Sequence, residues 1–199
     1  MADNYLNLAV TPAVARAQAH YYGQAMTVPG GSPAGGPLGE EERAFIAARD
    51  SFYLATVNEE GWPYMQHRGG PAGFLHVLGP TSLAFADFRG NRQLLSTGNV
   101  AAQDRVSLFL MDYPQRTRLK ILGHARVEDA RSHPELVARL AEPDARRSVE
   151  RLFLIEVAAF DWNCPKFITP RYTAAEVDEA LAPLRQRIAE LESQLGKQK

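Results

Sequence analysis

Phe85-Ala86-Asp87-Phe88-Arg89-Gly90-Asn91-Arg92-Gln93-Leu94-Leu95-Ser96-Thr97-Gly98-Asn99 is the stretch around which the chain is organised. Its apolar start reads as a strand end, Arg89-Gly90-Asn91 as a turn, and the residues after it as the opening of a short helix. The first amides of a helix have no partner inside it. They point outward where the helix dipole favours negative charge, and here Arg89 and Arg92 add two cations. Such a corner is either an anion site or an ordinary turn with solvated arginines, and this segment alone leaves both open.

The flanking residues read mostly as strands. Upstream, Phe52–Val57 is aromatic and apolar, Asn58-Glu59-Glu60-Gly61 is a turn, and Trp62–Arg68 resumes with Pro63 at its start, where a missing donor is tolerated. Leu75–Leu78, Gly79-Pro80-Thr81 and Ser82–Asp87 repeat the pattern. Downstream, Arg105–Met111 reads as a buried strand, Arg116–Glu128 as a long alternating strand with a bulge at Gly123, and Leu152–Ala159 as a core strand. Glu40-Glu41-Glu42 opens a helix with Phe45 and Ile46 facing inward, and Ser132–Leu140 reads as a helix capped by Ser132. About six strands with tight turns and short helices predict a small antiparallel barrel with helices at its ends. Neither a strand-helix-strand repeat nor Gly-x-Gly-x-x-Gly occurs, which argues against a dinucleotide-binding sheet.

At 199 residues the chain suits one domain with appendages. A net charge of -1 makes no whole-chain case for nucleic acid or an acidic membrane. The single cysteine, Cys164, excludes an intrachain disulfide framework and fits a reducing compartment. No apolar run is long enough to span a bilayer, and Met1–Val10 lacks the pattern of a signal peptide, so a cytoplasmic location is expected. Residues 1–37 form an extension with a helix near Pro12–Tyr22 and a Gly/Pro-rich linker from Thr27 to Pro37. The main domain spans 38–172. From 173 to 199 the chain reads as an amphipathic helix: Val177, Leu181, Leu184, Ile188, Leu191 and Leu195 are spaced four, three, four, three, four. That helix either lies on its own barrel or pairs with a second subunit.

Few residues suggest acid-base or nucleophilic chemistry. Cys164 beside Lys166 is a candidate nucleophile or a small buried apolar residue. The five histidines show no metal spacing. His67-Arg68-Gly69-Gly70 marks close backbone approach by a ligand or another chain, or a plain bulge. Arg116, Arg118 and Lys120 alternate and so share one strand face. Three segments, 66–70, 86–93 and 116–120, thus offer cations or free amides that one barrel could bring together.

Over Leu38–Pro170 the order of elements resembles the pyridoxamine-5'-phosphate-oxidase-like family of FMN-binding split barrels. The motifs are the strand ending in Gln66-His67-Arg68-Gly69, the arginine turn before a short helix, an Arg-Val-Ser-Leu strand, and Arg118-Leu119-Lys120-Ile121-Leu122-Gly123-His124-Ala125-Arg126-Val127. The resemblance implies a mainly β fold with α: a six-stranded antiparallel split β-barrel, flanking short helices and the C-terminal amphipathic helix. It also implies a homodimer with FMN in a cleft between subunits, and FMN-dependent oxidoreductase activity on a small molecule. A non-catalytic flavin carrier, a haem-binding barrel using His67 or His124, and deazaflavin use are the alternatives. Carried over by position, Gln66, His67, Arg68 and Gly69 form the second-strand contact region, and Ala86 and Asp87 lie toward the ring and ribityl chain. Asn91, Arg92 and Gln93 form the phosphate turn, Arg118 reaches the flavin, and Trp162 and Lys166 border it. The Arg-x-Val-Leu-Leu-Lys strand and Arg-Leu-Ala-Pro ending of pyridoxamine-phosphate oxidase itself are missing, so the resemblance supports the fold and the flavin much better than it supports pyridoxamine phosphate as substrate.

Overall fold

A computed structural model of the chain describes residues 2–28, 36–162 and 165–196. Cys164 and residues 29–35 of the linker lie outside the described residues. The chain divides into two compact units, Met1–Met111 with Arg118–Cys164 and Asp112–Thr117 with Pro165–Lys199.

The first unit holds strands β1 (Ser51–Val57), β2 (Pro63–Gly69), β3 (His76–Val77), β4 (Ser82–Phe88), β5 (Arg105–Asp112), β6 (Thr117–Asp129) and β7 (Val149–Trp162). They form one sheet in the order β2-β1-β5-β6-β7-β4-β3, one strand more than the six expected; β3 has only two residues. The β1–β2, β1–β5, β3–β4, β4–β7 and β6–β7 pairs run antiparallel.

Alternation selects the inner face. β1 buries Phe52, Leu54 and Thr56, and β5 buries Val106, Leu108 and Leu110, while their neighbours stay half-exposed. Each buried Leu or Phe contributes roughly 1.5–3 kcal/mol. Strands β2 and β4 are far apart in sheet order, yet Arg68 on β2 reaches Asp87 on β4 at 2.7 Å. Phe52 of β1 also meets Phe85 of β4 edge-on, with centroids 5.4 Å apart. The sheet therefore curls until its ends meet, and side chains rather than backbone hydrogen bonds close the gap. That is a split barrel.

Gly123 sits at a bulge, as its position in the sequence predicts. Leu122 pairs with Ala159 and Gly123 with Val157, so Ala158 has no opposite partner. A Cβ at Gly123 would lie 2.6 Å from the Glu156 carbonyl oxygen. Helix α1 (Ala2–Ala9), which the sequence did not suggest, packs on β7, and Asn4 Nδ2 donates to the Ala158 carbonyl at 2.8 Å. Helix α2 (Pro12–Tyr22) has the expected bounds, with Thr11 as N-cap and Gly23 as left-handed C-cap.

Helix α3 (Glu40–Ala47) starts with Glu42 accepting from the Gly39 N–H at 2.9 Å. Helix α4 (Leu95–Ala102) follows the turn after β4. Helix α5 is shorter than expected, Pro134–Leu140, with His133 rather than Ser132 at its N-cap. Pro134 takes the first helical turn, and a separate 3-10 turn over Ala130–Ser132 is capped by Asp129.

In the second unit, helix α6 (Ala174–Gly196) begins at a reciprocal cap in which Thr173 and Glu176 each bind the other's amide. Arg116 belongs to the preceding turn with φ 53°, not to the face of β6 expected to carry three cations. No helix among the described residues is long and apolar enough to cross a membrane.

Candidate functional site

The turn between β4 and α4 forms one wall of a cavity of about 210 Å³. Of the residues expected at a site, Gln66, Arg68, Asp87, Asn91, Arg92 and Gln93 line it together. Strand register explains the selection from β2. Tyr64, Gln66 and Arg68 pair with Thr56, Leu54 and Phe52 and share their face, whereas His67 and Gly69 point to the other.

Three devices hold the site. First, α4 is fixed by polar side chains: Ser96 Oγ donates to Gln66 Oε1 at 2.9 Å, and Asn99 Nδ2 donates to Thr56 Oγ1 at 2.9 Å. Ser96 and Thr56 are both buried, so these bonds set the helix's position on β1 and β2. Leu94 cannot cap the helix, no side chain does, and no acidic residue occupies the first turn. The first helical residues, Leu95, Ser96 and Thr97, line the cavity, and their amides have no side-chain cap. Second, the turn is strained. Arg92 (φ 62°) and Leu94 (φ 55°) adopt left-handed backbone without being glycine, and Asn91 Oδ1 shapes the turn by accepting from the Gln93 N–H at 3.1 Å. Such conformations cost on the order of 1–3 kcal/mol each and tend to cluster at ligand-binding loops.

Third, the charges alternate but do not balance. Asp87 accepts from Arg68 and from Arg151 of β7, each at 2.7 Å. These side chains are 13%, 11% and 18% exposed for Arg68, Asp87 and Arg151. Arg151 also binds Glu150, which binds Arg89. Three arginines thus face two carboxylates, and Arg92 adds a further cation at the rim. Burial works against the charge on Arg151, but its bonds to Asp87 and Glu150 outweigh that and its pKa is raised. The bond from Arg89, then those from Arg151, hold Glu150 below its ordinary value. Arg68 packs over Phe85 and Phe153, and its Nε is buried without a hydrogen-bond partner. A buried donor without a partner amid surplus positive charge suits an anion.

The other expected residues lie elsewhere. His67 packs edge-on against Tyr53. Ala86 is buried in a second apolar cluster with Val137 and Leu140 of α5. Arg118 lies over Phe109. Trp162 donates to Glu42 at 2.7 Å and meets Phe45 edge-on. Lys166 lies over Phe167 within the second unit. His124 bonds Asp104 at 2.9 Å. Arg151, Ser96, Thr97 and Tyr64 line the cavity although sequence reading did not single them out. Only β7's register places Arg151 opposite Asp87. Among the described residues no group of His, Cys, Asp or Glu could hold a metal ion.

Solved structures of related shape include HupZ of Group A Streptococcus (9% identity, 68% of this chain and 98% of that one, TM-score 0.49). General stress protein 26 of Bacillus anthracis strain Sterne gives 15% identity over 61% of this chain and 91% of that one, TM-score 0.47. An FMN-binding protein of Syntrophomonas wolfei gives 12% identity over 61% of this chain and 83% of that one, TM-score 0.44. Likenesses this distant carry no argument about chemistry. No curated protein matches the chain. The model of the family described as pyridoxamine 5'-phosphate oxidase matches residues 38–162, well over half the chain and the whole of the barrel. The chain belongs to the pyridoxamine 5'-phosphate oxidase family.

Proposed function

We propose that the cavity between β2, β4 and α4 holds the phosphate of FMN, and that the protein is an FMN-dependent oxidoreductase acting on a small molecule. The observation that carries this reading is the excess positive charge around the buried, unpartnered Arg68 Nε, next to helix amides that no side chain caps. Arg68, Arg92 and Arg151 would neutralise the phosphate, while Ser96, Thr97 and Gln93 offer hydroxyl and amide groups. Bound FMN supplies one- and two-electron transfer, and the protein binds, orients and tunes it. A dimer with the flavin in a shared cleft fits the exposed apolar residues at the β2 edge, Trp62 (70% exposed) and Met65 (65% exposed), which an isolated barrel leaves in water.

The absorbance spectrum of the purified protein tests the reading, followed by titration with FMN. A flavin spectrum, or saturable FMN binding that quenches flavin fluorescence, is expected. A purified protein that carries no flavin and does not bind added FMN would overturn it. NAD(P)H consumption or oxygen-linked turnover then separates an enzyme from a carrier.

A further inference from the structure

Helix α6 plays no part in the cofactor reading. Val177, Leu181, Leu184, Ile188 and Leu191 lie between 37% and 60% exposed. A helix of 23 residues with Pro183 inside it needs cover for such a face. Interior proline costs about 3 kcal/mol, and most helix stability in proteins comes from packing an apolar face.

The spacing and charges say what fits. In heptad terms Leu181 and Ile188 occupy a positions, and Val177, Leu184 and Leu191 occupy d. Pro183 then falls at c, off the seam. Arg187 falls at g and Glu192 at e of the following heptad. In a parallel, in-register pair these two positions face each other across the seam, so two-fold symmetry forms an Arg187–Glu192 pair on each side. Ile188 at a, flanked by Leu184 and Leu191 at d, follows the two-stranded pattern, whereas Leu181 at a and Val177 at d do not. Within one chain Arg187 binds Glu190 at 3.0 Å, both side chains largely exposed, a contact weak enough to exchange. A membrane surface fits worse, because Glu176–Glu192 carries five acidic residues against two basic ones.

We infer that α6 forms a parallel two-stranded coiled coil with α6 of a second copy of this chain. The inference is independent of the flavin. With about three heptads the coil is a clasp that adds to another interface.

Disulfide trapping in the full-length chain tests it, with Cys164→Ser as background and copper-phenanthroline as oxidant. Val177→Cys and Leu191→Cys, introduced singly, are each expected to give a covalent dimer, and Ser193→Cys at the outer f position is not. Arg187→Glu should slow trapping at Leu191→Cys by about fivefold, the scale of two exposed ion pairs, and adding Glu192→Arg should restore it. Dimers from neither single cysteine would overturn the inference, as would trapping only in a mixture of the two, which means an antiparallel pair. Failure of the charge swap to restore trapping would overturn the register. Light scattering on the same samples separates this from the barrel interface: a dimer without trapping removes only the clasp.

Discussion

Asp87 is held by two arginines, Arg68 and Arg151, which both line the cavity. Asp87→Asn leaves Arg68 and Arg151 facing each other with one counter-charge removed. The cofactor-free protein should lose about 3 kcal/mol, as when one partner of a buried ion pair is deleted. With the proposed phosphate near these arginines, the FMN-loaded protein should lose less, because the phosphate would supply part of the missing negative charge. Thermal melts with and without FMN read this as a widened gap; an unchanged gap would remove the phosphate from that spot. Arg92 and Arg89 are close in sequence but differ in partner. Arg92 lines the cavity, while Arg89 is tied to Glu150. Arg92→Ala should weaken FMN binding about 10- to 100-fold, the range for a charged hydrogen bond, and Arg89→Ala by less than about threefold. Equal effects in a fluorescence titration would reverse the assignment.

His76 on β3 gives a pH dependence. Burial, then the Arg139 charge, push its pKa below the ordinary 6.5, partly offset by a bond to the Leu140 backbone. The unfolded chain therefore takes up a proton that the folded one resists. Stability is full above about pH 6.5 and falls as pH drops from there toward the lowered value. Replacing His76 with Gln should flatten the difference in melting temperature between about pH 7.5 and about pH 5.5. The two-residue strand around His76 was legible as a strand, but its burial beside Arg139 was not, because α5 arrives from a distant part of the chain.

Among the elements, the bulge at the β6–β7 pair is the most demanding. Gly123→Ala would place a Cβ 2.6 Å from the Glu156 carbonyl oxygen and 2.9 Å from Ile155 Cγ2. Backbone on one side cannot give way as a side-chain tip can. A loss of about 1–3 kcal/mol in urea unfolding is expected, the usual cost of overpacking. The same bulge leaves the Ala158 carbonyl free for Asn4, so the mutation should also loosen α1, which amide exchange over residues 2–9 would read. Helix α4 follows different rules. Its sequence offers no side-chain cap, and its anchoring bonds to Thr56 and Gln66 lie on strands 30 or more residues away.

At the scale of the molecule, the proposed flavin site, if shared between subunits, would tie cofactor retention to assembly. On dilution, flavin release should follow dimer dissociation, monitored together by fluorescence and light scattering. A monomer that keeps its flavin would refute the shared cleft.

Local pattern by itself determined the strands, the bulge glycine, the helix at Pro12–Tyr22, the cationic turn and the heptad seam. Each depends on alternation, turn chemistry or helical spacing over a few residues, which are properties of neighbours in the chain. Tertiary structure decided which cations meet. Curling the sheet brought Arg68 of β2 to Asp87 of β4, strand register placed Arg151 beside them, and the same alternation turned His67 away. Arg118, Trp162 and Lys166 are cationic or aromatic as a flavin neighbour would be, yet within one chain they face Phe109, Glu42 and Phe167. A side chain's partner depends on how distant segments close on each other, and that is a property of the folded barrel rather than of any stretch of sequence.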